Sequence, residues 1–199
     1  MDYKNFIQDF PIRCGKILEE YRCQELLKGR EVTHMFAIAA AMITIPFARL
    51  CERTHPSTNK KKYEQAVGKF ANLCDQYFLG SCLWEDKGEA RSWKFGQVSK
   101  EDVKEGPEYW IRDSSSLTED IKVKKILKII RNALAHGSVF TLPAKEQIEK
   151  IIFLSKIRVR GKFTKNYNML TVSPEDFYGF LVNWVSFLRD ELKIPPEVD

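Results

Sequence analysis

Apolar residues recur at intervals of three and four along most of this chain, a spacing that places them on one face of an α-helix. The pattern predicts one or two amphipathic helices over residues 3–28, a helix over residues 63–78 and a last helix that begins at Ser173. Residues 31–53 are apolar on nearly every side, which indicates a core helix that is kinked or ended near Pro46. Helices are therefore expected to dominate the fold.

The clearest helical pattern lies in residues 116–137. Ser116 and Glu119 have the S-x-x-E spacing of a capping box, in which the two side chains accept hydrogen bonds from backbone N–H groups of the first helical turn. Apolar residues then follow at helical spacing up to Gly137, a residue type that commonly ends helices. We expect a helix that begins directly after Ser116 and stops at Gly137.

Sequence typical of strands is sparse. Residues 151–172 predict a β-hairpin, because two stretches rich in β-branched and aromatic residues flank a turn region at Gly161. Residues 80–115 are rich in Gly, Trp and charge without lasting periodicity, and we interpret them as an irregular excursion with a short strand near Trp93. The expected fold class is mainly α with a small β-hairpin, in a single domain over residues 1–199.

The composition is that of a globular protein with a mildly basic surface. Lys and Arg number 32 against 27 Asp and Glu, a formal net charge of +5, which permits a polyanionic partner without requiring one. The five cysteines include no CxxC pair and have no zinc-finger spacing to a histidine. This cysteine usage favours a reducing compartment.

We expect no segment that enters a membrane or directs export. The N-terminal residues lack the basic start, apolar run and small-residue cleavage site of a signal peptide. The most apolar stretch, residues 35–47, is shorter than the roughly 20 residues of a membrane span, contains Pro46 and is followed closely by Arg49. The prediction is a cytoplasmic protein with no membrane association.

Most catalytic signatures are absent from the sequence, which has no GxSxG, Walker, GxGxxG or HExxH motif and no carboxylate cluster typical of a metal site. One of the three histidines, His136, lies in the sequence RNALAHG at residues 131–137, in the last turn of the best-predicted helix. RNALAHG resembles the R-x4-6-H motif of the HEPN superfamily, which comprises small all-helical ribonucleases and nucleotide-binding proteins. Arg49 and His55 share the spacing but lie between prolines, outside any regular amphipathic pattern.

Helix geometry places the motif beside a strip of positive charge. At 100° per residue, Arg131 and His136 lie about 140° apart around the helix, and Asn132 falls between them. The same sector holds three lysines: Lys124, Lys125 and Lys128. These lysines could contact RNA phosphates, although the outer face of an amphipathic helix is ordinarily polar for solubility alone.

The residue types of the motif suit cleavage of a phosphodiester bond. The guanidinium of Arg131 can bind phosphate oxygens and stabilise the charge of a pentacoordinate phosphorus, and the imidazole of His136 can transfer protons near neutral pH. One histidine does not easily serve both proton transfers, so a twofold dimer that joins two motifs would complete the site. Ile129 lies outside the main apolar stripe and on the side of His136, which suggests a contact of that dimer.

The resemblance implies a HEPN-like bundle of four to five helices that acts as a metal-independent endoribonuclease and needs no cofactor. In such enzymes His136 would be the general acid and base, Arg131 would hold the phosphate, and Asn132 would orient the phosphate or the histidine. A homodimer would leave 2′,3′-cyclic phosphate and 5′-hydroxyl ends. HEPN toxins regulated by nucleotidylation often carry a Tyr two positions after the motif His, where this chain has Ser138, which argues against that regulation.

The resemblance also suggests a biological setting, since HEPN ribonucleases act in toxin–antitoxin and phage-defence systems, with an antitoxin or another protein as partner. Two alternatives also fit the sequence. The chain could be a non-catalytic HEPN module that binds nucleotide, RNA or a protein, or a helical adaptor protein in which the motif is coincidental. Only the nuclease is expected to cleave RNA in the presence of EDTA.

Overall fold

Helices carry most of the main hydrophobic core. The computed structural model describes residues 6–22, 30–51, 63–84, 92–144 and 147–192. In chain order its helices are α1 (Phe6–Arg22), α2 (Glu31–Pro46), α3 (Glu64–Asp75), α4 (Pro107–Trp110), α5 (Val123–Ala135) and α6 (Pro174–Ser186). The helices predicted in the N-terminal segment, over residues 63–78 and after Ser173 are confirmed, and the Ser173 hydroxyl caps α6 by accepting from the Asp176 N–H.

The strands form one antiparallel sheet. They are β1 (Lys94–Ser99), β2 (Ser115–Ser116), β3 (Val139–Ala144), β4 (Gln147–Val159) and β5 (Lys162–Val172), in the order β2-β1-β5-β4-β3. The prediction of a mainly α, HEPN-like bundle of four to five helices with a small β-hairpin is therefore wrong. The described residues form an α+β fold with a five-stranded sheet.

The central part of the sheet is buried on both faces. Ile151 and Phe153 of β4 belong to the main core with the helices, whereas Ile152 and Leu154 belong to a second cluster around Trp110. A strand covered on both sides is a continuous apolar run rather than an alternation of apolar and polar residues. β3 is an edge strand, and a proline lies beside a shift in its register. Proline lacks a backbone N–H for strand pairing, so its presence in a sequence argues against a strand.

The predicted β-hairpin is present as β4 and β5 and extends beyond the predicted bounds. Arg160 and Gly161 join the strands, and their φ angles of 47° and 80° are those of a type I′ turn. The short strand predicted near Trp93 is present as β1. The rest of the excursion predicted over residues 80–115 is more ordered than expected, because it supplies β2 and α4, and Trp110 of α4 covers the second face of the sheet. Residues 85–91 within it lie outside the described part of the chain.

α2 is the predicted core helix. It ends at Pro46 and continues into a π-helical turn, Phe47–Cys51. Met42 and Ile43 are fully buried, and the helix packs on α1, α5 and α6 with its opposite side partly exposed. The helical run Val32–Cys51, with a mean hydropathy of 1.6, is long and apolar enough to cross a membrane by length and composition, a criterion that buried core helices also meet.

The helix that carries the motif, α5, begins later than predicted. Ser116 lies in β2 and Glu119 in the turn that follows it, so the predicted capping box does not form. Lys122 occupies the N-cap position without a side-chain cap. A backbone hydrogen bond replaces the side-chain cap: the Val123 N–H donates to the Gln76 carbonyl at 3.0 Å. The start of α5 is thereby held against the segment after α3.

Candidate active site

The C-terminus of α5 is a tight helix stop that leaves His136 at the surface. Gly137 has a φ of 63°, and the Ser138 N–H donates to the Ala133 carbonyl at 2.8 Å, as in a Schellman motif. A positive φ is accessible to glycine without the strain that a Cβ brings. His136 is the C-cap residue, and its exposed side chain lies where the chain leaves the helix.

Asn132 connects the motif arginine to the sheet. Its Oδ1 accepts from Arg131 Nη1 at 2.8 Å, and its Nδ2 donates to Ser155 Oγ of β4 at 3.0 Å. An arginine can only donate, so the amide oxygen must face Arg131 and the amide nitrogen must face Ser155. Ser155 is only 5% exposed and holds the amide from within the sheet. The orientation of Asn132 is therefore set from both sides.

Arg131 is further positioned by an aromatic ring. Its guanidinium carbon lies 5.5 Å from the centroid of Phe47, in the π-helical turn after α2. Arginine stacks favourably on an aromatic face through its planar, weakly hydrated cation. Arg131 is half-buried, and the ring and the Asn132 amide restrict its rotamers before any ligand arrives. A preorganised guanidinium suits the binding of an anion.

The structure therefore brings together two of the three predicted catalytic residues directly, Arg131 and Asn132, and places His136 one helical turn further, at the exposed end of the same helix. Ser155 and Phe47 were not identified from the sequence. The only sequence signal for Ser155 is a small polar residue that interrupts the apolar run of β4, and Phe47 lies in an apolar segment where nothing distinguishes it.

The three predicted RNA-binding lysines, Lys124, Lys125 and Lys128, are all exposed. The Lys125 ammonium lies 4.1 Å from the ring centroid of Phe95 in β1, so this lysine is directed towards the sheet. RNA binding by the three lysines stays a prediction.

Ile129, predicted as a dimer contact, is only 2% exposed and belongs to the main core. That prediction is wrong, because the Ile129 side chain is buried within the protomer's own core, where α5 also packs against β4 and β5. Arg49 of the second R-x-H spacing lies in the π-helical turn, and His55 lies outside the described residues.

Three of the described cysteines do not supply a thiolate at neutral pH. Burial, together with the neighbouring Cys51, raises the pKa of Cys74 to about 12. Burial also raises the pKa values of Cys14 and Cys82. These three thiols are protonated at neutral pH, so none is an activated nucleophile. Within the described ranges, no group of three or more His, Cys, Asp or Glu side chains is arranged to hold a metal ion.

Comparison with known families gives a match over nearly the whole chain. The family model described as HEPN pEK499 p136 matches residues 1–193, which is nearly the whole chain. Comparisons with curated proteins and with solved structures give no match. The RNALAHG motif and the family match thus point to the same superfamily, and the chain belongs to the HEPN family.

Proposed function

We propose that this protein is a metal-independent endoribonuclease of HEPN type. The observation that carries the proposal is the arrangement at the end of α5, where Asn132 and Phe47 position the Arg131 guanidinium and the exposed His136 follows one helical turn later. A fixed cation can stabilise charge on the phosphate and an accessible imidazole can transfer a proton, and metal-free phosphodiester cleavage uses both kinds of group.

In the proposed reaction, His136 accepts the proton of a ribose 2′-hydroxyl, and the 2′-oxygen forms a bond to the adjacent phosphorus. The bond from phosphorus to the 5′-oxygen breaks, and that oxygen receives a proton. Arg131 stabilises the negative charge that grows on the phosphoryl oxygens. The products are a 2′,3′-cyclic phosphate and a 5′-hydroxyl, and no cofactor or metal ion takes part.

The two proton transfers occur on opposite sides of the phosphorus, and we assign them to two histidines in a homodimer. In that assembly the His136 side chains of two protomers face one cleft. Ser138, rather than Tyr, follows the motif, so control by another means, such as an antitoxin protein, is part of the proposal. The proposed setting is a cytoplasmic toxin–antitoxin or phage-defence system.

A second function is favoured by one observation. Arg131 is half-buried against Phe47 and bonded to Asn132, contacts that a purely structural arginine would also make. The protein would then be a non-catalytic HEPN module that binds nucleotide, RNA or a protein partner. RNA cleavage separates the two functions.

The test is cleavage of total RNA by the purified protein in EDTA. We expect His136→Ala to lower the rate by about 100-fold or more, because proton transfer is lost. Arg131→Lys keeps the charge but loses the planar fork, and we expect a loss of roughly tenfold or more. The cleaved ends should carry 2′,3′-cyclic phosphates.

His34→Ala is the matched control, because it removes a partly buried histidine from α2 rather than from the motif. Circular dichroism spectra should be the same for all four proteins. Cleavage that is equal in all of them would indicate a contaminating nuclease. No cleavage by the unmodified protein, tested on RNAs of varied sequence and structure, would favour the binding module.

A further inference from the structure

The β4–β5 hairpin extends past the rest of the sheet. β3 pairs with β4 only as far as Phe153, and β1 pairs with β5 only from Asn166 onward. At the base, the Lys100 N–H donates to the Lys165 carbonyl at 2.8 Å. Residues 156–165 therefore form a two-stranded projection, which we call the arm, with no neighbouring strand among the described residues beyond that base.

The arm concentrates the positive charge of the protein. It contains five exposed basic residues: Lys156, Arg158, Arg160, Lys162 and Lys165. No acidic residue lies between Glu149 and Glu175. The remaining 27 basic residues equal the 27 acidic residues in number, so the arm accounts for the whole formal net charge of +5. Such a cluster attracts polyanions at long range.

The arm also displays an aromatic ring. Phe163 is 62% exposed, the largest exposed fraction among the large hydrophobic residues described. The Arg158 guanidinium lies 4.5 Å and the Lys156 ammonium 5.9 Å from its centroid, so the ring and both cations share one face of the arm. An exposed ring among cations is the combination that single-stranded nucleic acids bind, through stacking and phosphate contacts.

The arm is connected to the candidate active site. Ser155, the residue before the arm, accepts the hydrogen bond from Asn132. Successive residues of a strand point to opposite faces, so Lys156 lies on the face opposite to Ser155. RNA held by Lys156, Arg158 and Phe163 would therefore contact the face of the arm opposite to the Ser155 side chain.

We propose that the arm is a binding site for single-stranded RNA, in which the basic side chains contact phosphates and Phe163 stacks on a base. The proposal rests on the proposed function for the identity of RNA as substrate. Single strands fit better than a duplex, because the bases of a duplex are already stacked on each other and their faces are covered. The arm adds affinity for RNA and does not take part in the chemical step.

The test is the binding of a fluorescein-labelled single-stranded RNA to the His136→Ala protein, followed by fluorescence anisotropy in EDTA. In this background we expect the triple change Lys156→Gln, Lys162→Gln and Lys165→Gln to weaken binding roughly tenfold or more near physiological salt. The slope of log affinity against log salt should fall by about 2, since each phosphate contact on a single strand contributes about 0.7.

A matched triple variant separates a local site from net charge. Lys16→Gln, Lys122→Gln and Lys150→Gln remove the same three charges from α1, the start of α5 and the end of β4 far from the arm. We expect this variant to leave the affinity and the salt slope nearly unchanged. Equal weakening of RNA binding by both triple variants would overturn the proposal. The loss of affinity would then follow from the lower net charge of the protein rather than from a local site on the arm.

Phe163→Ala tests the stacking contact. We expect it to weaken binding of single-stranded RNA roughly fivefold or more and to leave binding of duplex RNA unchanged, with Phe163→Leu as weak as Phe163→Ala. Equal affinity of Phe163→Leu and the parent protein would overturn the stacking contact. If the arm variants lose affinity for anionic phosphatidylserine vesicles and none for RNA, the arm is a membrane contact and the proposal fails.

Binding and cleavage report separately on the two proposals. If the unmodified protein cleaves RNA, the arm triple variant should raise KM and leave kcat unchanged. If it does not cleave but the arm variants still lose RNA affinity, the proposed nuclease fails and the arm proposal stands. Cleavage with the same KM in all variants would leave the nuclease and reject the arm.

Discussion

Ser155 of β4 connects the sheet to the candidate active site by a hydrogen bond. Its hydroxyl accepts from Asn132, which in turn accepts from Arg131. Ser155→Ala leaves the Asn132 amide without this partner in a partly buried place, which should cost about 1–3 kcal/mol of stability. If the contact positions Arg131, the change should also lower kcat roughly tenfold with KM unchanged.

A double-mutant cycle distinguishes positioning from general destabilisation. In the Arg131→Lys background, Ser155→Ala should have a much smaller effect on kcat, because the guanidinium that the contact positions is already gone. Ser81→Ala is the control, since Ser81 is also 5% exposed and bonds within the core, to the Phe78 carbonyl. It should cost stability without lowering kcat. Additive effects of the Ser155 and Arg131 changes would contradict the positioning role.

Some residues of the candidate active site can be identified from the sequence alone, and others cannot. The sequence allows three site residues to be proposed, because one short motif on a predicted helix contains Arg131, Asn132 and His136. Ser155 and Phe47 could not be proposed, because they reach the motif through tertiary contacts from distant elements. Ile129 was misassigned for the same reason, since the packing of the hairpin against α5 is a tertiary contact that the helical pattern does not show.

Among the elements, the π-helical turn after α2 and helix α3 meet at two thiols. Cys74 of α3 is buried, and burial and the neighbouring Cys51 raise its pKa from 9.0 to about 12. The folded state therefore holds the thiol proton more tightly than the unfolded chain does. This contribution to the free energy of unfolding is fully present below pH 9 and is lost as the pH rises towards 12.

The expected outcome is a steeper alkaline loss of stability in the unmodified protein than in Cys74→Ala. Urea unfolding from about pH 8 to about pH 10 measures it, through the difference in unfolding free energy between the two proteins. That difference should fall as the pH rises. Comparing two proteins that differ at one residue removes the contributions of tyrosines and lysines that titrate in the same range. Parallel curves would contradict the raised pKa.

Helices and strands also differ in how far the sequence predicts them. Helices with one apolar face, such as α3 and α6, could be predicted because their period is visible in the chain. The β4–β5 hairpin and a short strand near Trp93 could also be predicted, but their assembly with β2 and β3 into one five-stranded sheet could not, because β2 has only two residues and β3 is an edge strand that contains a proline. The start of α5 was misplaced because its first turn is held by backbone pairing with the segment after α3, a contact invisible to a capping rule.

For the whole molecule, the proposed mechanism requires two copies of the chain. If both His136 side chains act in one cleft, mixing unmodified protein with His136→Ala should lower activity as the square of the unmodified fraction. A protomer that acts alone would lose activity in direct proportion to that fraction. Subunits must be allowed to exchange, for example by mild unfolding and refolding of the mixture.

Sedimentation velocity supplies the matching physical measurement. The active species should have the mass of a dimer of the 23.2 kDa chain, and dilution to monomer should reduce the specific activity. Ile129→Ala should not act as an interface variant, because the side chain is buried within one protomer. Full activity in a protein that sediments as a monomer would exclude the two-histidine mechanism.

Among the described strands, none pairs with the end of the β4–β5 hairpin, so no other strand fixes the length of that end. Its inner pairs, such as Ser155 with Asn168, stay in register if residues are gained or lost in equal number on the two strands. Each such step moves the turn by about 3.3 Å and reverses the face on which the tip side chains lie. The reach of the hairpin can therefore change independently of the core, whereas its tip side chains keep their original faces only after an even number of steps.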